Sequence, residues 1–371
     1  MGLRILYGVN GEGLGHATRS QVVAGALLER HDVRVVTSGG ALAYLRERLP
    51  DVEEVFGPSF AMENGEIRRW ATVRHNLATA PRELPVTVRH WLEVVDAWRP
   101  DVVVTDFEPL AGLYARSAHV PLVSVDNIHM IDRCRHDDGI VGDEHADFAI
   151  ARAVTRAMVP TAGDYVITTF FRPPVLRGRT RLVEPLLRPE VLAAAPERGD
   201  HLLVYSGGEP ELLAALRDAP LPSRVYGMRD LPEAAEDGGR VTFRPRSEAG
   251  FLEDLRTARA VVTGGGFSLL CEAIALRKPV LSVPLHGQFE QTMNGRYLER
   301  AGYGRCAGTV DGEALGGFLG DLARFESALD VAPPPGNDAA LRTIEDVVCA
   351  AAADSRAERR ALRRVARRPV A

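Results

Sequence analysis

With 371 residues, 46% of them hydrophobic and 26% charged, the chain can bury two cores of ordinary size and is not a disordered polymer. Its formal charge of −5 gives no general reason to expect nucleic-acid binding, and no apolar run approaches the ~20 residues of a membrane span. The start, MGLRILYGVNGEG, has no signal-peptide core; four scattered cysteines without a C-x-x-C pair read as reduced thiols, so a cytoplasmic protein is expected.

RILYGV (4–9) reads as a strand and His16–Arg30 as an amphipathic helix. VRVVT (33–37), a helix over Ala41–Leu49 and VEEVF (52–56) follow. A polar stretch from Gly57 to about Asn76 precedes a long helix ending at Trp98. PDVVVTDFEP (100–109) and PLVSVD (121–126) hold the fourth and fifth strands. HLLVYSGG (201–208), SRVYG (223–227), VTFRP (241–245), AVVTGGG (260–266) and PVLSVP (279–284) repeat the scheme. Near-continuous Val/Leu strands alternating with helices predict parallel sheets covered on both faces. The fold class is therefore α/β, with two doubly wound domains facing each other across a cleft. The Pro- and charge-rich segment 183–200 is the expected linker between domains at 1–182 and 201–340. Residues 341–371 are expected to form a helix and basic tail packing back on the first domain. From Ser355 the tail carries seven Arg and one Glu, a face that suits weak contact with anionic lipid. A solvated last helix is the plainer reading, because the opposite face is mostly alanine.

Ligands of such sheets bind beyond the carboxyl ends of the strands, where the Gly-rich segments 11–15, 206–208 and 264–266 all fall. GVNGEGLGHATRS (8–20) is not a dinucleotide fingerprint. His16 stands where the third glycine belongs, and the second strand ends in Thr37-Ser38 rather than an acid. A P-loop needs a lysine, and the only lysine of the chain is Lys278. What remains is a thin loop, with Gly13 and Gly15 beside an imidazole at the mouth of a helix. Imidazole titrates near ~6.5 and serves as a general base at neutral pH. A carboxylate on its other nitrogen would orient it. Asp106, at a strand end on the same rim, is the first candidate. Glu108 and Asp126 are the alternatives, and a strand-end acid can instead cap a helix.

The second half concentrates its signals in TGGGFSLLCEAIALRKPVLSVPLHGQFEQTMNGRYLERAGYG (263–304). A strand ends in Gly264, Gly265 and Gly266, and a helix starts at Phe267-Ser268, whose free N–H groups suit a diphosphate. From within that helix Glu272 can accept two hydrogen bonds from a ribose. The HGQFEQ turn, beginning at His286, leads into another helix. Glu290 and Gln291 offer acceptor and donor groups for sugar hydroxyls there, and Asn294 follows on the same cleft.

This segment resembles the donor-binding region of GT-B glycosyltransferases, the superfamily of natural-product and plant UDP-sugar transferases and of the peptidoglycan GlcNAc transferase. Their pattern runs Gly-Gly, polar residue, Glu, Gly-x-Pro, strand, Asp/Glu-Gln, Asn. Here it reads Gly265-Gly266, Ser268, Glu272, Lys278-Pro279, Glu290-Gln291 and Asn294. The opening is similar to bacterial members carrying G-x-G-x-G-H-x-x-R. The resemblance implies His16 as base and Asp106 as its support, and it places Gly207 and Gly208 across from the phosphates. It sets the nucleotide base near Phe243, Arg244 and Arg246 through main-chain contacts. Two departures stand out. Leu269 replaces a family Ser/Thr, and Lys278, where the family often has Gly, reads as a surface substitution.

The expected function is an inverting, metal-independent glycosyltransferase acting on a natural-product or glycoconjugate acceptor. The nucleotide sugar is its substrate and no separate cofactor is needed. UDP is the favoured base and dTDP also fits. No D-x-D metal pattern occurs. Two rivals share the features: a nucleotide-sugar 2-epimerase, and a non-catalytic sensor that needs Glu272 but not His16. The loop 57–76 and the polar stretch from His129 to Phe148 favour an acceptor pocket, with Phe60, Met62, Trp70 and His75 as candidate lining.

Overall fold

A computed structural model describes residues 2–55, 95–160, 162–207, 209–228 and 240–366, with short pieces at 62–63, 66–67 and 89; side chains from Glu358 onward lie outside it. Phe60, Trp70, His75, the side chain of Met62, Gly208 and most of the helix expected before Trp98 also lie outside the described residues.

The first sheet is built from β1 (Arg4–Val9), β2 (Asp32–Thr37) and β3 (Val52–Glu54). The strands Met62–Glu63 (β4) and Glu66–Ile67 (β5) pair separately as a small hairpin. The main sheet continues with β6 (Val102–Asp106), β7 (Leu122–Asp126), β8 (Asp164–Thr168) and β9 (Thr180–Val183). Its order is β3-β2-β1-β6-β7-β8-β9, all parallel. The second sheet has the order β12-β11-β10-β13-β14-β15, again parallel. Its strands are Leu202–Tyr205 (β10), Ser223–Tyr226 (β11), Val241–Phe243 (β12), Ala260–Thr263 (β13), Val280–Ser282 (β14) and Gly304–Cys306 (β15). In both sheets the chain reverses direction beside its first strand, which opens a crevice at the carboxyl edge.

Five strands go beyond the sequence expectation. β4 and β5 are two residues each within the stretch read as polar loop, β8 and β9 are the short runs DYVIT and TRLV, and β15 is only GRC, with no apolar run to mark it. The first helix, α1, spans Leu14–Leu28 and so starts two residues before His16.

The last helix, α5 (Asp338–Ala366), returns to the first sheet, and Ala340, Ile344, Val347, Val348 and Ala351 enter that core. Further along it, Arg356 reaches Asp101 at 2.8 Å. The halves also share an apolar seam. Phe289, Met293 and Tyr297 of α4 (Phe289–Arg300) pack with Met130, Ile131, Ile140 and Phe171. Tyr297 stacks on Phe171 with ring centroids 3.8 Å apart.

Lys278 is not a surface substitution. It is 1% exposed, and its Nζ donates to the carbonyls of Glu197 and Ala258. These are the carbonyls that end the linker and the helix before β13, so the ammonium ties the linker to the second core. Burial pushes Lys278 down to about 8 from an ordinary 10.5. Below pH 8 folding therefore carries the cost of a buried ammonium. Between 8 and 10.5 the folded protein sheds a proton that the unfolded chain keeps, so stability rises with pH. In Lys278→Met that rise should be absent. Urea midpoints of both proteins across this interval test it, and equal slopes would refute the assignment.

Candidate active site

β1 and β6 are adjacent, with Val9 in register with Asp106. The loop that leaves β1 therefore begins beside that carboxylate. Asn10 N–H donates to the Asp106 carbonyl at 3.1 Å, and the Asn10 side chain donates to the carbonyl of Phe107 at 3.2 Å. Phe107 itself is held at φ 56, a left-handed conformation that bulky residues seldom adopt. The loop then enters α1, whose first turns carry His16, Arg19 and Ser20 on one face.

All three converge on Asp106. His16 Nδ1 lies 2.8 Å from Asp106 Oδ1; the imidazole must donate, because an ionised carboxylate only accepts. Arg19 donates from Nε (3.0 Å) and Nη2 (2.6 Å), and Ser20 Oγ adds a fourth bond to the carboxylate at 3.0 Å. Asp106 has no exposure. Burial opposes its ionisation, but Arg19 and then His16 outweigh it and hold the carboxyl below its usual range. With Nδ1 committed, Nε2 is the imidazole nitrogen left without a hydrogen bond among the described residues.

Opposite α1 stands α3 (Phe267–Ala275), which follows β13 and the glycine turn. Among the described residues no side chain caps either helix, so their first N–H groups are free for a ligand. The two helix mouths touch: Ser268 Oγ donates to the Gly15 carbonyl at 3.2 Å. A Cβ on Gly15 would lie 2.8 Å from that hydroxyl, whereas a Cβ on Gly13 or Gly266 would meet no atom of the described residues within 4 Å. Gly15 is thus a close-approach glycine.

A family model described as glycosyl transferase family 1 matches residues 3–323. The chain belongs to that family. A glycosyltransferase of Methanosarcina acetivorans is 26% identical over 336 residues, covering 82% of this chain and 85% of the relative. Two solved structures share the GT-B fold. The spinosyn forosaminyltransferase SpnP has a TM-score of 0.62 at 17% identity, covering 94% of this chain and 100% of its own. A UDP-glucosyltransferase from Polygonum tinctorium has 0.64 at 16%, covering 94% and 98%.

In this transferase several residues expected at the cleft do other work. Glu108 caps helix α2 (Pro109–Ser117), accepting from the N–H groups of Leu110 (3.0 Å) and Ala111 (2.6 Å); burial pushes its carboxyl up to about 7 against those two bonds. Asp126 holds His129, not His16, through Nδ1 at 2.7 Å and the His129 N–H at 2.8 Å. Both are buried, with His129 against the Phe107 and Tyr165 rings. Gln291 closes the turn before α4, accepting from Leu285 N–H and donating to Gln288. Arg244 N–H is taken by the Val225 carbonyl and its side chain lies near Asp254, while Phe243 packs on the second core. His286 is exposed on that turn, and Gly207 follows the end of β10. Asn294 is buried and donates to the Gly265 carbonyl at 3.3 Å.

Glu272 has a partner that the sequence does not announce. Both of its oxygens accept from Arg188 of the linker, from Nε and Nη2 at 2.8 Å each. Arg188 also donates to Glu248, which in turn takes Arg48 and Tyr44 of the first half. Burial raises the Glu272 carboxyl, and Arg188 opposes that. Sequence reasoning does not single out Arg19, Asn127 or Arg188. Only Arg19 has a signal there, as the arginine three residues after His16. Among the described residues no group of three or more His, Cys, Asp or Glu is placed to hold a metal ion.

Asp106→Asn leaves the Arg19 charge buried without its partner, which costs about 3–5 kcal/mol near neutral pH. Because the folded pKa is depressed, wild-type stability is complete above the unfolded value of ~3.9 and falls below it. The gap between the two proteins should therefore narrow in acid, as denaturation curves at several pH values would reveal.

Proposed function

We propose that the chain is an inverting, metal-independent transferase that moves a sugar from a nucleoside-diphosphate donor to a hydroxyl of a natural-product or glycoconjugate acceptor. One observation carries this reading: an imidazole held by a buried carboxylate at 2.8 Å, its second nitrogen unpartnered among the described residues, at the junction of two uncapped helix mouths. His16 Nε2 takes the acceptor O–H proton while Asp106 steadies the imidazolium. The acceptor oxygen forms a bond to C1 of the sugar from the face opposite the diphosphate. The C1–O bond to the diphosphate breaks, and the nucleoside diphosphate leaves with the electron pair. The N–H groups at the start of α3 face that charge, and the absence of a D-x-D pattern agrees with a leaving group held by the protein.

For the donor we favour UDP, with dTDP the other base that fits. Glu272 and Glu290 are the carboxylates proposed for ribose and sugar hydroxyls. The UDP-glucosyltransferase of the same fold is in keeping with that choice. The four cysteines are free thiols, as suits the cytoplasm we propose for the protein.

A thermal-shift panel of UDP- and dTDP-sugars identifies the donor, since stabilisation follows RT ln(1+[L]/Kd). With that donor, His16→Ala should keep the shift and lose transfer by about 10²–10⁴-fold. Full transfer by His16→Ala would overturn the mechanism, and epimerised donor formed without acceptor would favour the 2-epimerase.

A further inference from the structure

The His16–Asp106 pair does not end at Asp106. Arg19 spends Nε and Nη2 on the carboxylate, and its remaining Nη1 donates to Asn127 Oδ1 at 2.8 Å. Asn127 Nδ2 then donates to Glu290 Oε1 at 2.7 Å. Glu290 belongs to α4 of the second half, so the chain of bonds crosses the cleft. Its polarity is fixed. A guanidinium only donates and a carboxylate only accepts, so the amide of Asn127 can face in one sense alone. Arg19 and Asn127 are 4% and 5% exposed, which shields the bond between them from competing water. Neither residue contacts the acceptor or donor groups directly in the reading given above.

We propose that Arg19 and Asn127 are positioning residues that join the His16–Asp106 pair of the first half to Glu290 of the second, so that the base is held in its working orientation only while the two halves are engaged. The inference rests on His16 as the base. It gives the enzyme a reason to carry a neutral amide at position 127. An amide is the short side chain that can accept from an arginine at one end and donate to a carboxylate at the other. The link also makes orientation of the base sensitive to whatever binds Glu290. A sugar hydroxyl that engages this carboxylate acts on the same oxygen that Asn127 holds, or on its neighbour.

The link is tested without any substrate, by the rate at which diethyl pyrocarbonate modifies the His16 imidazole, followed by peptide mass spectrometry. The His16 side chain is 16% exposed, so loosening it should be visible. Asn127→Asp keeps the bond from Arg19 but sets a second carboxylate against Glu290. His16 should then react about threefold faster or more, while the exposed His145 on another helix serves as an internal control. Asn127→Asp combined with Glu290→Gln exchanges donor and acceptor across the link, since the new amide on α4 can donate to the new carboxylate facing it. That pair should return the His16 rate to within about 1.5-fold of wild type. Asn127→Ala, which adds no charge, should match Asn127→Asp in direction and covers the case in which the aspartate variant folds poorly. An unchanged rate in Asn127→Ala, or a double variant as fast as Asn127→Asp, would overturn the proposal. Failure of the transferase reading shows elsewhere, as retained transfer in His16→Ala.

Discussion

A fully buried carboxylate is the constraint around which this transferase is arranged. Asp106 ends a strand at the centre of the first sheet and has no exposure. A lone ionised carboxylate there would be prohibitively costly. Arg19 supplies the opposing charge side-on, and Ser20 and His16 fill the remaining acceptor sites. Positions 16, 19 and 20 fall on one helical face, which explains why three polar residues of this helix point inward. The Arg19–Asp106 ion pair fixes α1 against β6, and His16 is fixed with it. The stability of the first half and the geometry of the imidazole therefore depend on one interaction.

The two halves use the same topology for different purposes. Each sheet reverses order beside its first strand, and each presents a glycine turn and a bare helix mouth at the crevice. In the first half, the turn delivers an imidazole. In the second, it leaves N–H groups that no side chain of the described residues caps. Ser268 and Gly15 bring the mouths into contact, while α4 reaches across with an apolar face into the seam and Glu290 in its first turn. Packing along α4 thus decides where Glu290 sits relative to α1.

The β-branched strands are legible in the sequence because burial on both faces forces continuous apolar runs. Strand ends are legible as a rim, and with them a short set of acids, Asp106 first among them, that could face His16. Partners distant in sequence are not. Arg188 and Glu272 are 84 residues apart and Arg19 and Asn127 are 108 apart; neither spacing nor composition marks such pairs. Lys278 departs from expectation for a related reason. A lysine is ordinarily exposed, and only the fold shows two carbonyls converging on its ammonium. Glu108 and Asp106 lie two residues apart at one strand end, so sequence cannot separate the helix cap from the partner of the histidine.

The Arg188–Glu272 pair bears on how a nucleotide could enter. A carboxylate offers about four lone-pair sites, and the side-on guanidinium uses one on each oxygen. Two remain, the number that a vicinal diol requires, so the ion pair does not by itself compete with a ribose. Access is the tighter limit, because the Glu272 side chain is only 8% exposed. Part of the wall beside it is Glu248, held by Arg48 and Tyr44 from the opposite half. Those contacts are exposed ones, and exposed ion pairs contribute little to stability. Separating Glu248 from Arg48 and Tyr44 therefore costs far less than disturbing Asp106, and it leaves untouched the bonds that hold the imidazole at the other end of the cleft.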